Sequence, residues 1–298
     1  LYTTDSVLDK HIDRKSCEIF GGGSEAVMLS NSISSQMTHL RPSLLPGLIA
    51  ATARNQARGI HDLSIFEVGH TFFGGKPGEE ELVATGLMVG NISEKNHYDT
   101  TRGVDIYDVK GVLEEILSII VPSLKKLRIR KANHSFLHPG RSGSLISGSD
   151  NEEVAFFGEL HPKIIADFGI KGSAVCFSLR PSKLPFAKNK NITKPKFEIH
   201  SYQSVERDFA FVVDSHILMG DLINAVYSSD FNFIERVNVF DVFEGPLATE
   251  QLGESKKSIA ISVLMQPRLK TLDDREIDEI SKRIIQSVIK VSGGALRS

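Results

Sequence analysis

Two α+β domains built on antiparallel sheets are what the sequence predicts, and three observations carry that prediction. The chain has 298 residues, 41% of them hydrophobic, enough for two cores rather than one. Residues 183–200, KLPFAKNKNITKPKFEIH, hold five lysines, two prolines and two asparagines with no helical or alternating period, the signature of an exposed connector. The apolar runs on either side are short and follow one another more often than they alternate with helices, which favours antiparallel pairing.

The C-terminal part is the more legible. DFAFVVD (208–214) is a β-prone run, and HILMGDLINAVYSS places Leu218, Leu222, Ile223 and Val226 at helical spacing. FIERVNVFDVFEG (233–245) and KKSIAISVLMQ (256–266) read as strands, the second with Ile259, Ile261, Val263 and Met265 on one face; GPLATEQLGES joins them as a loop. A helix follows, with Thr271 expected as its N-cap, Asp273, Asp274 and Glu276 in its first turn, and a stripe of Ile277, Ile280, Ile284, Val288 and Val291. Gly293 and Gly294 stop it, and ALRS leaves room for a last strand. The order β-α-β-β-α-β is that of the ferredoxin-like fold, a four-stranded antiparallel sheet with both helices on one face. Its other face is left for a partner.

In the N-terminal part, RPSLLPGLIAATARNQARG (41–59) feeds a helix from about Leu45. LSIFEVGHTFF (63–73) and ELVATGLMVG (81–90) are strands and DVKGVLEEILSIIV (108–121) is an amphipathic helix. SGSLISGSDNEEVAFFGELHP (142–162) reads as two strands around a polar turn, and AVCFSLR (174–180) as the last strand.

Several chemistries are excluded. FGGGSEA (20–26) lacks the Lys-Ser/Thr of a phosphate loop and reads as a turn. Of the ten histidines only His134 and His138 stand at H-x-x-x-H spacing, and His138 and His161 precede prolines in extended turns, so no metal site is assigned. Glu114–Glu115 and Asp273–Asp274 sit on helix surfaces or caps, and no serine occupies a nucleophile elbow. Cys17 and Cys176 give no disulfide framework and read as buried free thiols. With a net charge of −2, no membrane-length apolar run and no signal peptide, the chain reads as cytoplasmic and not as a general polyanion binder. A first residue that is leucine suggests a segment cut from a longer polypeptide.

Read as strings, nine segments in register resemble the β subunit of bacterial phenylalanyl-tRNA synthetase. HLRPSLLPGLIAATARNQARG followed by DLSIFEVGHTF, then YDVKGVLEEIL, FLHPGRSG and FFGELHPKI, resemble its catalytic-like module. YQSVERDFAFVVD, VNVFDVFEG, KKSIAISVLMQ and LKTLDDREI, down to the terminal ALRS, resemble its ferredoxin-fold anticodon-binding domain. Two positions depart from the family: Gln203 replaces the usual proline after Tyr202, which frees an N–H and loosens the lead-in loop, and Lys270 replaces an arginine.

The resemblance implies a class II synthetase-like, non-catalytic antiparallel sheet domain over 1–185, a linker over 186–200 and the anticodon-binding domain over 201–298. It implies assembly with an α subunit as an (αβ)2 heterotetramer, with ATP and Mg2+ used by the complete enzyme to join phenylalanine to tRNA(Phe), and no catalytic or metal residue in this stretch. Ser64, Ile65 and Phe66 precede Glu67 where an active domain needs an ATP-binding arginine. Arg41, Pro42 and Leu45, in a stretch resembling the degenerate first class II motif, become subunit-interface candidates. Arg207, Asp208, Asp241, Phe243, Lys256, Lys257 and Ser258 become tRNA-binding candidates. The domain's own charge, 11 Lys and Arg against 15 Asp and Glu over 201–298, does not favour phosphate attraction, so recognition would rest on stacking and base-edge hydrogen bonds. The alternative is an amino-acid-sensing module, a use to which ferredoxin-like domains are also put.

Overall fold

A computed structural model of the chain describes residues 11–12, 14–22, 25–32, 38–94, 96–97, 100–121, 127–147, 151–184, 201–268 and 270–297. The connector expected at 186–200 lies outside them. The chain divides into two compact units, Leu1–Asn191 and Ile192–Ser298.

The first unit opens with a two-residue ladder, β1 (His11–Ile12) against β2 (His39–Leu40), with α1 (Arg14–Ile19) between. Its body is a six-stranded antiparallel sheet made of β3 (Leu63–Phe72), β4 (Glu80–Val89), β5 (Leu127–Lys131), β6 (Leu137–Ser147), β7 (Glu152–Leu160) and β8 (Ala174–Leu179), in the order β3-β4-β8-β7-β6-β5. Helix α2 (Leu45–Ala57) begins where the Ser43 hydroxyl accepts from Leu45 N at 3.2 Å. Helix α3 (Ile106–Ile120) begins with a capping box in which Asp105 and Asp108 exchange side-chain bonds to backbone N–H groups. A short α4 (Pro162–Asp167) follows β7, and the residue expected in an extended turn, His161, is its N-cap, accepting from Lys163 N through Nδ1.

Both faces of this sheet are covered. Along β8, Ala174 and Cys176 join Leu45, Leu48 and Ile49 of α2 in one core cluster, while Val175, Phe177 and Leu179 join Val109, Leu113 and Leu117 of α3 in another. Alternate residues of a strand point to opposite faces, so α2 and α3 lie on opposite sides. Gly86 makes room for this packing: a Cβ there would meet Phe177 Cε1 at 2.3 Å.

The second unit runs β9 (Val205–Asp214), α5 (Met219–Ser229), β10 (Ile234–Phe243), α6 (Pro246–Leu252), β11 (Lys256–Met265), α7 (Asp274–Ser292) and β12 (Ala295–Leu296), in an antiparallel sheet of order β10-β11-β9-β12. The predicted loop between β10 and β11 instead holds α6, set between Gly245 (φ 100°) and Gly253 (φ 97°), with Ala248 wholly buried as its anchor. The N-cap of α7 is Asp273, not Thr271: its carboxylate accepts from Glu276 N while Glu276 reaches back to Asp273 N, two bonds that a threonine two residues earlier cannot make. Val291, expected on the buried stripe, is 53% exposed because the stripe passes from Val288 to Ser292, which is 5% exposed, and leaves Val291 beside it.

One core serves this unit. Phe209, Phe211 and Val213 of β9 and Ile259, Ile261, Val263 and Met265 of β11 pack with Leu222 and Val226 of α5 and Ile277, Ile280, Ile284 and Val288 of α7. Gly293 ends α7 in the left-handed conformation (φ 63°). Gly294 then passes so close to β9 that a Cβ would lie 2.4 Å from Val212 O. The lead-in loop, loosened by Gln203, is tied down by Gln266, whose Nε2 donates to Tyr202 O at 2.9 Å.

Candidate nucleic-acid interface on the second sheet

Because α5 and α7 share one face of the second sheet, the alternate residues of its strands form an open face. Its middle strand, β11, contributes small side chains there: Ser258, Ala260 and Ser262. Opposite them on β9 stand Val212, Ala210 and Asp208, and on β10 stand Phe243, Asp241 and Asn238. The ladder slips between Val239 and Asp241, so that Phe240 and Asp241 together oppose Ala260. Such a bulge turns two successive side chains to roughly the same side, here the open one, and Phe240 is 56% exposed. The result is a trough with a small-residue floor, walled on the β10 side by Asn238, Phe240, Asp241 and Phe243 and on the β9 side by Asp208 and Glu206.

At one end of the trough the Arg297 guanidinium carbon lies 5.8 Å from the centroid of the Phe243 ring, within cation–π reach. Arg297 is held there by its backbone, whose N donates to Ala210 O at 2.7 Å. At the other end the Ser262 hydroxyl donates to Glu206 Oε1 at 2.8 Å.

The seven tRNA-binding candidates separate. Asp208, Asp241 and Phe243 come together on the open face, where Ser258, of the same alternation, is buried at 4% exposure, and Lys256 pairs with Asp214 Oδ1 at 2.7 Å. Hydrogen bonding from Lys256, and its charge, hold the Asp214 carboxyl below the usual range. Lys257 and Arg207 alternate to the helix-covered side. The Lys257 ammonium donates to Ile217 O at 2.8 Å, and Arg207 is opposite the fully buried Val263 while remaining exposed itself. Asn238, Phe240 and Arg297 were not among the candidates. The broken alternation of VNVFDVF, where two residues separate Val239 from Val242, carries the signal for Phe240. Arg297 has none short of knowing that ALRS pairs with β9.

In the first unit, Arg41 is 4% exposed, donates from Nη1 to Glu67 Oε1 at 2.7 Å and from Nε to His70 O at 3.1 Å. Gly69 leaves space for it, since a Cβ there would meet Nη2 at 2.6 Å. The guanidinium is thus consumed by an internal pair, and the position beside Glu67 does not fit a nucleotide phosphate. Leu45 is wholly buried in the α2 core, and Pro42 is partly exposed.

Residues 10–180 match the family model described as the phenylalanyl tRNA synthetase beta chain CLM domain, and residues 201–297 match the ferredoxin-fold anticodon binding domain. The chain belongs to the phenylalanyl-tRNA synthetase β-chain family. It is 45% identical over 286 residues to the phenylalanine–tRNA ligase β subunit of Cereibacter sphaeroides, covering 96% of this chain and 35% of that one. The β subunits of Ruegeria pomeroyi (44% over 287 residues; 96% and 35%) and Rhodospirillum rubrum (42% over 281; 94% and 34%) are similar. The chain therefore spans about a third of the length of the curated relatives it matches.

Among the described residues of this β-chain segment, no group of three or more His, Cys, Asp and Glu is placed to hold a metal ion. Cys176 is fully buried and burial pushes its thiol far up, so it is chemically inert; the Cys17 side chain lies outside the described residues. A compact polar cluster on the first sheet joins Glu153 with His134 and Ser144, the His134 Nε2 lying 3.0 Å from Glu153 Oε1. Burial pushes the Glu153 carboxyl up, but hydrogen bonds from His134 and Ser144 outweigh it and leave it lowered. Both groups bond the carboxylate, Ser144 on Oε2 and His134 on Oε1, so the carboxylate stands where a serine–imidazole pair of a catalytic triad would need the histidine.

Proposed function

We propose that this chain serves the phenylalanine–tRNA ligase β subunit as its tRNA(Phe) anticodon-loop platform and as part of its assembly with the α subunit. The open face of the second sheet carries the reading. It offers ring surface at Phe243 and an acceptor at Asp241 able to take N–H donors from a guanine edge, on a strand floor small enough to admit a flat base; Ser258, 4% exposed, belongs to that floor and would meet a base only from beneath it. Asp208 extends the acceptor wall. Arg207, Lys256 and Lys257 are the phosphate candidates, with Lys257 the least available because its ammonium is held by Ile217 O.

For the first unit, three large apolar side chains on one side of β3 and β4 support a protein partner: Phe66 is 77%, Val68 49% and Leu82 44% exposed. Arg41, Pro42 and Leu45 belong to the same proposed assembly role, Arg41 and Leu45 by shaping the unit from within. The (αβ)2 state, the ATP- and Mg2+-dependent joining of phenylalanine and a cytoplasmic setting belong to the complete enzyme in this reading, with the chemistry in the α subunit.

The test is tRNA(Phe) binding and charging by the assembled enzyme with Phe243→Ala or Asp241→Ala in its β chain. Each variant is expected to weaken tRNA binding by about tenfold or more, the size of a lost base stack, with melting unchanged. The KM for tRNA should rise with little change in kcat. Unchanged tRNA affinity in both variants would overturn the reading, and amino-acid-induced self-association of the unsubstituted protein would favour a sensing module in its place.

A further inference from the structure

The trough does not end at Phe243. From Ser258 to Ser262 its floor runs four residues, about 13 Å at the ordinary strand rise. Beyond Ala260 it widens into an open hollow of about 630 Å³ lined by Asn238, Phe240, Ser262, Glu206, Arg207 and Asp208. The two aromatic walls are separate: Phe243 stands opposite Ser258, while Phe240 belongs to the bulge opposite Ala260 and flanks Asn238 and Ser262.

We propose that this hollow is a second base-binding subsite, taking an unpaired loop base that carries an exocyclic amino group. The proposal rests on the anticodon-platform reading of the same face. Phe240, 56% exposed, supplies the stacking surface. Asn238 can both donate and accept, whereas a carboxylate only accepts. Glu206 receives the Ser262 hydroxyl on Oε1 and keeps its other oxygen, so Glu206 and Asp208 are both acceptors able to meet the base. Adenine, cytosine and guanine offer amino N–H donors to such a group, while uracil presents one ring N–H between two carbonyl oxygens that a carboxylate repels. The subsite therefore discriminates against uridine. Two rings in separate registers of the trough fit bases splayed from one another, as in an unstacked loop, and not two bases left in a continuous stack.

The experiment uses the assembled synthetase with Phe240→Ala, Asn238→Ala, Asp208→Asn or Phe243→Ala in the β chain. Its probes are tRNA(Phe) transcripts in which each unpaired amino-bearing base of the anticodon loop is replaced in turn by uridine. Phe240→Ala and Asn238→Ala are expected to weaken binding of the unsubstituted transcript about tenfold with melting unchanged. That penalty should fall below twofold on one transcript, and the Phe243→Ala penalty should fall on a different one. Asp208→Asn should narrow the preference against uridine at the first of these positions. If Phe243→Ala weakens binding while Phe240→Ala and Asn238→Ala do not, or if all penalties vanish on the same transcript, there is no second subsite and the platform reading stands. If no variant weakens binding, the platform reading itself fails.

Discussion

The two sheets of this chain solve opposite problems with the same antiparallel material. The six-stranded sheet of the first unit is buried from both sides, so β8, lying third from one edge, has all six residues buried. The four-stranded sheet of the second unit is buried from one side, and its middle strand β11 alternates Ile259, Ile261 and Val263 with Ser258, Ala260 and Ser262. A sheet with helices on both faces can present a partner only with its edges, helix backs and exposed rim. A sheet with one free face can present a flat, hydrogen-bonding surface without giving up its core. In the proposed reading RNA recognition falls to the smaller unit, and the larger one is a scaffold that exposes apolar side chains at several places, among them Phe66, Val68 and Leu82 on β3 and β4 and Ile119 on α3.

The largest effect that should separate the two is at Arg41. Removing it leaves Glu67, 11% exposed, without its partner, and an uncompensated carboxylate of that kind costs about 3–5 kcal/mol. Denaturant unfolding of Arg41→Ala should show this loss in the first unit while tRNA affinity of the assembled enzyme follows only through lost folded protein. A smaller effect contrasts added bulk on the two sheets. Gly86→Ala drives a methyl into the Phe177 ring, which is packed on the other strand, and should lower stability by about 1–3 kcal/mol. Ala260→Leu fills the open trough instead: melting should move by less than about 0.5 kcal/mol while tRNA binding is lost. If Ala260→Leu unfolds the protein, the face is packed in a way that the one-sided description misses.

Glu153 adds a pH-dependent difference within the scaffold. Its carboxyl is lowered in the folded chain, so the stability it contributes is present above the ordinary carboxylate value of 4.5 and is lost as pH falls through the lowered one. Glu153→Gln should cost about 1–2 kcal/mol at neutral pH, as expected for charged hydrogen bonds. The gap from the unsubstituted protein should close on acidification as that protein loses the charge the variant lacks. A gap that stays constant from neutrality to pH 3 would show that packing, not the carboxylate, holds His134 and Ser144 in place.

The legible parts of the sequence were those where one interaction sets the pattern. Period-2 alternation located β9 and β11, and period 3.6 located α3 and α7, because each element meets a single core on a single side. The illegible parts involve competition. Thr271 and Asp273 are both good caps, and the choice of Asp273 depends on the return bond from Glu276. GPLATEQLGES reads as loop until Ala248 finds its buried seat. On the site, the family resemblance of VNVFDVFEG pointed to Asp241 and Phe243, but the bulge that brings Phe240 alongside is a matter of register, visible only once β10 is laid against β11. The Arg297–Phe243 contact joins residues on opposite edge strands and needs the complete strand order.

The smallest expected effect concerns the charges at the start of β9. Glu206, Arg207 and Asp208 precede the apolar run, and alternation divides them: Glu206 and Asp208 fall on the open face, and Arg207 falls with Phe209 on the side of the helices, beyond the end of the core. An arginine there is solvated, so Arg207→Ala should change stability by less than about 0.5 kcal/mol. A long side chain at a strand end can still reach a phosphate, and the salt dependence of tRNA binding separates the cases. A phosphate contact would reduce the slope of log K against log salt by about one, whereas an arginine confined to the helix side leaves it unchanged. The contrast with Asp208→Asn, one residue away and on the other face, then measures how strictly this sheet keeps recognition to one side.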